Sequence, residues 1–493
     1  MVASLLSLDD STLRDIYSER KQRLLLASRY VQATAKLIQP KLFLVALKLA
    51  SSSLPNGARE GIIMNPASYA TQGDFQEDLD EIVSSKPYRR LSNKSQVMVK
   101  PTRDHFRSRL IHTIEVNHIA LAIGTPLGLN TSLISSIAMA HDIGHTPFAH
   151  AGERTIREIL RRELATTFEA SEQKLVDKLI FHHSSNSARI LLTKYVSVKL
   201  PTISAVLTHS WSPWKQSDPQ KNTVPESYEG QVVALADQLA SINHDTEDII
   251  EGRRYTNYNA TRFSQEMHKW MRGQRSKTPD KLDEKMGVFL NVGEPGYGRR
   301  MRVDVMVKQV VEAANAMMAA NNIKEAKQAK EHPLSLPDDW SNFLSLYERF
   351  IREVVVQRES WFVGRDAMAQ ALVSTVFNHI WPRFKSGQEI QMTLPLEDDT
   401  AKSRIEEERL SIEHYQRFFA DDYNEKTLED VLAKREPSIK TWDNYAFEAV
   451  KPHIAAKRPL QMLRLISVID FVAGLTDRYC LEIFDRVYQG FTI

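Results

Sequence analysis

Cysteine is nearly missing from these 493 residues. Cys480 stands alone, so the chain can form no intramolecular disulfide and no zinc site built on thiolates. That usage fits a reducing compartment, and the expected location is the cytoplasm. Glycine is also scarce, at 18, and the segments between turn signals carry Leu, Ala, Glu, Arg and Lys at helical spacing, which predicts a mostly α protein. Charge of one sign is lacking: 64 Lys and Arg face 62 Asp and Glu, a net charge of +2. The whole-chain balance therefore excludes both a polyelectrolyte nucleic-acid binder and an acidic solvating protein, and any anion site must be local. Long hydrophobic runs are missing as well. The early stretch "LFLVAL" at 42–47 falls far short of the roughly 20 residues that span a bilayer. "MVASLLSLDDSTLRD" has no basic segment ahead of an apolar one, so neither export nor membrane anchoring is expected.

Helical patterning is densest from 107 to 254. It is broken at "GTPLGLN" (124–130), around Thr146 and Pro147, and at "SPWKQSDPQKNTVPES" (212–227), where Pro, Ser and Asp cluster. It resumes at 340–360, 366–380, 427–434 and 459–488, while 11–50 reads as one or two amphipathic helices. The stretches 55–80 and 271–300 read as irregular or solvated connections.

What the chain has in excess is histidine beside carboxylate. "IAMAHDIGHTPFAHAGE" (137–153) places three histidines and an aspartate within ten positions of one another, beside an apolar stretch. On "NTSLISSIAMAHDIG", capped by Asn130 or Thr131, the residues Ile134, Ile137, Ala138 and His141 follow the i, i+3, i+4, i+7 rule, so His141 faces the core. "RSRLIHTIEVNHIA" puts His112 on a stripe with Val116 and Ile119. "GQVVALADQLASINHDTEDII" sets Asp237 on a face with Val233, Ala240 and His244.

A lone inward histidine is usually a hydrogen-bonded core residue. A buried carboxylate is harder to dismiss, because unpaired it costs several kcal/mol and must find a cation or a dense set of donors. Together His112, His141, Asp142 and Asp237 make a mixed N/O ligand set suited to a divalent metal: Mn, Mg, Fe, Co, Ni or Zn.

The order His, His-Asp, remote Asp, all on helices, resembles the HD-domain phosphohydrolases. "PYRRLSNKSQV" (87–97), "RDHFRSRLIHTIEV" (103–116), "AHDIGHTPFAHAGE" (140–153) and "DFVAGLTDRYCLEIF" (470–484) resemble, in order, the deoxyguanosine triphosphate triphosphohydrolase (dGTPase) family, which includes broader dNTP triphosphohydrolases. The resemblance implies an all-α fold with an HD-domain helical core at 87–260. Helical patterning ahead of the matched segments predicts a helical extension at 1–86, and the resemblance implies a helical region at 261–493 that completes the core and supplies an oligomer interface. It also implies hydrolysis of a dNTP at the α-phosphorus to deoxynucleoside and inorganic triphosphate. His112, His141, Asp142 and Asp237 match the family's metal ligands; His145, His150, Glu153 and His183 match groups around the triphosphate; Gln96, Arg109 and Asp245 match groups that contact the nucleotide. His150 and Glu153, three apart at a helix start, suit a general acid and the carboxylate that orients it. Homo-oligomers, including hexamers, and regulation by a nucleotide are family expectations.

Three departures bear on substrate choice. Ser241 stands where the family usually has Tyr, and Ser184 and Asn186 stand where bacterial members often have Asn and Gln. Two other readings stay open at this level. One is a different HD phosphohydrolase, such as a nucleotidase or a cyclic-nucleotide phosphodiesterase. The other is a non-catalytic HD protein that senses nucleotides or binds single-stranded nucleic acid through basic segments such as "MRGQRSK" (271–277) and "RDHFR" (103–107).

Overall fold

The computed structural model describes residues 72–96, 107–165, 181–195, 198–214, 223–251, 258–274, 282–289, 297–323, 326–385 and 459–489. The helices expected within 11–50 and at 427–434 lie outside the described residues, as do the last three residues of "MRGQRSK" and the first four of "RDHFR". Among the described residues the fold is all-α, with a single isolated bridge between Ser95 and Ser108.

The helices that carry the site are α1 (Gln72–Ser84), α2 (Lys86–Arg90), α3 (Arg109–Gly124), α4 (Thr131–Ala140), α5 (Ala149–Ala165), α6 (His183–Lys194), α7 (Leu200–Thr208) and α8 (Tyr228–Glu251). They are followed by α9 (Ala260–Arg272), α10 (Leu282–Phe289), α11 (Tyr297–Ala320), α12 (Asp338–Phe350), α13 (Ser360–Lys385), α14 (Pro459–Gly474) and α15 (Asp477–Gln489). No described helix is long and apolar enough to cross a membrane.

Local chemistry sets the helix starts. Ser108 caps α3 by accepting from the Ile111 N–H, and Asn130 caps α4 by accepting from Leu133 at 3.0 Å. Each such cap is worth about 1 kcal/mol. α8 buries Val232, Val233, Ala236, Leu239 and Ala240 completely, the all-round burial of a helix at the centre of a bundle. It packs on α3, while α4 is covered by α1, α3 and α7. A second apolar cluster joins Phe148, Ile156 and Ile159 to Val373, Phe377, Val472 and Cys480, and so fastens α5 to α13, α14 and α15.

Three expectations about element boundaries are corrected. α4 ends at Ala140 rather than running to Gly144, which leaves His141 at the helix end and starts a turn at Asp142. The stretch at 72–80 is helical rather than irregular, because Phe75 and Ile82 bury one face of α1 against α4. The stretch 271–300, expected as a solvated insertion, contributes the helix α10 and the start of α11, anchored by Leu282, Met286 and Phe289 in the main core.

Candidate metal centre and proton network

The turn from His141 to Phe148 is the structural hub of the site. Gly144 packs so closely on the start of α6 that a side chain there would collide with the backbone of His183, Asn186 and Ser187. The contact is stitched by hydrogen bonds. Gly144 N–H donates to Ser187 Oγ at 2.9 Å, Asn186 Nδ2 donates to the Gly144 carbonyl at 2.7 Å, and Ser187 Oγ donates to the His141 carbonyl at 2.7 Å. Asn186, one of the departures noted in the sequence, thus helps to hold the turn.

Four side chains converge there, His141 and Asp142 from the turn itself, His112 from α3 and Asp237 from α8. His112 Nε2 lies 2.9 Å from Asp237 Oδ1 and 3.9 Å from Asp142 Oδ2; His141 Nε2 lies 3.4 Å from Asp142 Oδ2 and 3.8 Å from Asp237 Oδ1. The ring tautomers are fixed from behind. His141 Nδ1 donates to the Ala138 carbonyl at 2.7 Å. His112 Nδ1 is 3.1 Å from His244 Nδ1, and His244 pairs in turn with Glu115. The Glu115–His244–His112 chain orients the His112 ring so that Nε2 faces Asp237.

Burial penalises charge on His141, but Asp142 and Asp237 outweigh it and raise its pKa to about 9. Burial also opposes the charge on Asp142 and on Asp237. His141 and Arg109 nevertheless hold Asp142 well below the usual carboxylate range, and His112 and His141 hold Asp237 there. The site is an anionic pair that demands positive charge between its members. The buried His141 Nε2 makes no hydrogen bond among the described residues, so a proton and a divalent cation compete for that nitrogen. This donor set fits a divalent metal.

Beside it lies a second group. Glu153, fully buried, accepts from His150 Nδ1 at 3.2 Å, from His183 Nδ1 at 3.1 Å, and from Arg157 on its other oxygen. Burial opposes the Glu153 charge, yet His183 and His150 hold its pKa well below normal, so it is ionised. His145 stacks on His183 with ring centroids 4.0 Å apart and reaches Asp142 Oδ1 at 3.5 Å, which joins the two groups. Burial, Arg109 and His183 keep His145 neutral. His150 is the open member, with 66% of its side chain exposed in front of the buried Glu153.

Arg109, from the first turn of α3, is buried and ion-paired to Asp142. Gln96 is buried next to the Ser95–Ser108 bridge, and its Oε1 makes no hydrogen bond among the described residues. Asp245 lies two turns beyond Asp237 on α8, where its charge reaches Tyr347. His182 caps the start of α6 by accepting from Ser184 N–H.

Four residues escaped the sequence reading. His209 follows the last turn of α7, fully buried, with Nδ1 donating to the Val206 carbonyl at 2.6 Å and Nε2 lying 4.0 Å from Asp142 Oδ1. Its signal was the stripe Thr202, Ala205, Val206, His209 at helical spacing. Asp477, Lys94 and Ser95 lie inside quoted segments, but only the fold gives them work. Asp477 Oδ1 accepts from Phe148 N–H at 2.8 Å and Oδ2 accepts from Ser95 N–H at 2.9 Å, while Lys94 Nζ donates to the carbonyls of His145 and Ala473. The pinned segment is strained. Phe148 and Ala149 both take left-handed backbone, at φ 59° and 53°.

Residues 109–242 match the HD domain family. The chain is 41% identical over 185 residues to a deoxyguanosinetriphosphate triphosphohydrolase-like protein of Caldanaerobacter subterraneus subsp. tengcongensis, covering 36% of this chain and 47% of that protein. It is 38% identical over 181 residues to a protein of the same description from Clostridium tetani, covering 36% and 46%. For one from Rickettsia rickettsii it is 34% identical over 199 residues, covering 40% and 51%. The chain thus spans about half the length of the curated relatives it matches.

Proposed function

Because residues 109–242 are an HD domain, we propose that the chain is a metal-dependent phosphohydrolase that cleaves a deoxynucleoside triphosphate into deoxynucleoside and inorganic triphosphate. The observation that carries this reading is the junction at Asp142. A ligand set for a divalent ion shares that carboxylate with a chain of histidines backed by Glu153, and both groups rest on one rigid turn. His112, His141, Asp142 and Asp237 would hold the ion, which supplies Lewis acidity and lowers the pKa of water when bound.

The chain's own residues do the rest. Arg109 carries a fixed positive charge at the edge of the ligand set, where it can offset charge on phosphoryl oxygens. Glu153 fixes the tautomers of His150 and His183 so that the nitrogen remote from it, Nε2, is free on each ring. His150, the exposed one, is placed to protonate a departing 5′-oxygen, and Glu153 stabilises the imidazolium. Asp245 and Gln96 are our candidates for contact with the sugar.

The relatives' printed names support a triphosphate substrate with a guanine base. Ser241, part-buried one turn beyond Asp237, offers a hydroxyl in place of an aromatic ring. We therefore expect a broad base range, readable as kcat/KM across the four dNTPs. Near-absolute preference for dGTP without an activator would count against it. We take the active form to be a homo-oligomer, open to control by a nucleotide or a single-stranded nucleic acid.

The decisive experiment incubates the protein with each dNTP and Mn or Mg and separates the products. Deoxynucleoside with triphosphate is the expected pair. Stepwise release of monophosphate would mark a nucleotidase instead, and activity surviving exhaustive chelation would remove the metal from the mechanism. His141→Ala and Asp237→Ala should each lower metal content and abolish hydrolysis.

A further inference from the structure

Taking His150 as the acid proposed above, we infer that Arg157 is a positioning residue for the proton network. Its guanidinium orients the Glu153 carboxylate beneath His150 and fastens the approach of His183 to the same carboxylate.

His150, Glu153 and Arg157 stand at i, i+3 and i+7, on one face of α5. Glu153 is fully buried and divides its oxygens between two directions. Oε2 accepts from His150 Nδ1 at 3.2 Å and from His183 Nδ1 at 3.1 Å, whereas Oε1 accepts from Arg157 Nη2. The two imidazole contacts sit at the long end of the hydrogen-bond range and share one oxygen, so they hold the carboxylate plane weakly. The terminal torsion of a glutamate is broad and does not hold it either. Arginine alone of the three partners carries a permanent charge, so its bond to Oε1 persists in every protonation state of the rings and keeps Oε2 aimed at them.

The same side chain reaches the element that carries His183. Arg157 Nε donates to the Phe181 carbonyl at 2.8 Å, two residues ahead of His183 at the start of α6. One guanidinium thus holds both the acceptor of the Glu153–His183 bond and the segment that delivers its donor. His183 stacks in turn on His145, which reaches Asp142, so the placement that Arg157 sets is passed along the whole column of rings. Lysine, a single point of charge, cannot present two N–H groups in a fixed fork. Arg154 on the same helix gives the contrast: it pairs with Asp366 at the surface, with half of each side chain exposed, where an ion pair contributes little.

The test uses the full chain in its metal-loaded form. Arg157→Gln should keep its metal and change KM little, yet lose up to about 100-fold in kcat, the cost of a misplaced catalytic group. Arg157→Lys, which keeps the charge without the fork, should fall between. It decides alone if the glutamine variant does not fold, and wild-type kcat in it would overturn the inference. Added to Glu153→Gln, the Arg157→Gln change should cost almost nothing more, because no charged carboxylate is left to aim. Arg154→Ala should match the wild type; an equal loss there would assign the effect to charge on α5 and overturn the inference. Hydrolysis is followed on whichever nucleotide the wild type cleaves, so release of monophosphate would revise the proposed function without touching this result. A second readout needs no substrate and decides if the wild type cleaves none: labelling by diethyl pyrocarbonate at fixed pH, mapped by mass spectrometry. His150, open to solvent, should react in every one of these proteins, and buried His183 should react in Arg157→Gln but not in the wild type or Arg154→Ala. An Arg157→Gln protein that melts early at wild-type kcat, that loses the same factor with and without the Glu153 carboxylate, or that leaves His183 protected would reduce Arg157 to a helix-stabilising pair.

Discussion

His150 and Glu153 show how a single spacing becomes a chemical unit. Three positions apart on α5, they meet at 3.2 Å, with the imidazole open to the pocket and the carboxylate buried behind it. If His150 is the acid, His150→Ala should keep its metal and fold yet lose on the order of 10²–10⁴ in kcat, the range for a positioned proton donor. Glu153 also serves His183, so Glu153→Gln added to His150→Ala should cost further activity, though less than it does alone in the wild type. Measured kcat for the two single variants and the double, each with its metal content, checks this. Full additivity, or a His150→Ala enzyme near the wild-type rate, would remove His150 from the mechanism.

At the scale of elements, the site is a turn gripped from two sides. α6 holds it at Gly144 through Asn186 and Ser187, and the start of α15 holds it at Phe148 through Asp477. The second grip spans 329 residues of sequence, which gives the C-terminal "AGLTDRY" segment a physical task in a site built mainly from α3 to α8. Asp477→Ala frees the Phe148 N–H and Ser95 together, and with them the left-handed pair at 148 and 149. The variant should melt earlier, by the roughly 1–3 kcal/mol of a buried donor left unsatisfied. It should lose kcat more than KM while binding the same metal. Unchanged kcat in a folded, less stable variant would reduce Asp477 to a purely structural contact.

The same elements show what periodicity could and could not reveal. The spacing of His112 with Val116 and Ile119, and of Asp237 with Val233 and Ala240, was enough to point these groups inward, because a helix converts spacing into direction. The turn after Ala140 has no period, so the end of α4 was placed four residues late. Asp477 and Lys94 act through backbone groups hundreds of residues away or at a loop crossing, and no local pattern encodes such a partner. His209 was legible as an inward residue, but its neighbours arrive from the turn after α4 and from the start of α6, and only the packing brings them to it.

Across the whole molecule, the helices that carry the candidate site are tied together by a buried charge network. Arg107, just ahead of α3, reaches Glu115 at 3.3 Å, Asp248 at 2.8 Å and Glu247; Arg302 on α11 reaches Glu247 at 3.0 Å and Asn243 at 2.9 Å. The network lashes α3, α8 and α11 together behind His112 and Asp237, and it carries one overcharged member. Asp248 is buried, its Oδ2 makes no hydrogen bond among the described residues, and Glu251 and Glu247 add to the effect of burial. Despite Arg107, these push its pKa up to about 7. The folded chain therefore binds a proton at Asp248 that the unfolded chain, with an ordinary carboxylate, has released. Between about pH 4 and pH 7 the native state holds the greater number of protons, so stability falls as pH rises through that window and levels off above it. Asp248→Asn keeps an acceptor for Arg107 and removes the charge, leaving Glu115 and Glu247 to balance the guanidinium. Its stability relative to wild type should therefore grow by up to about 3 kcal/mol between pH 4.5 and pH 8. Urea unfolding of both proteins at the two pH values isolates the contribution, since every other titrating group is common to them. Curves that stay parallel across the pH range, or a variant less stable than wild type at pH 8, would show that Arg107 keeps Asp248 ionised at no net cost to the fold.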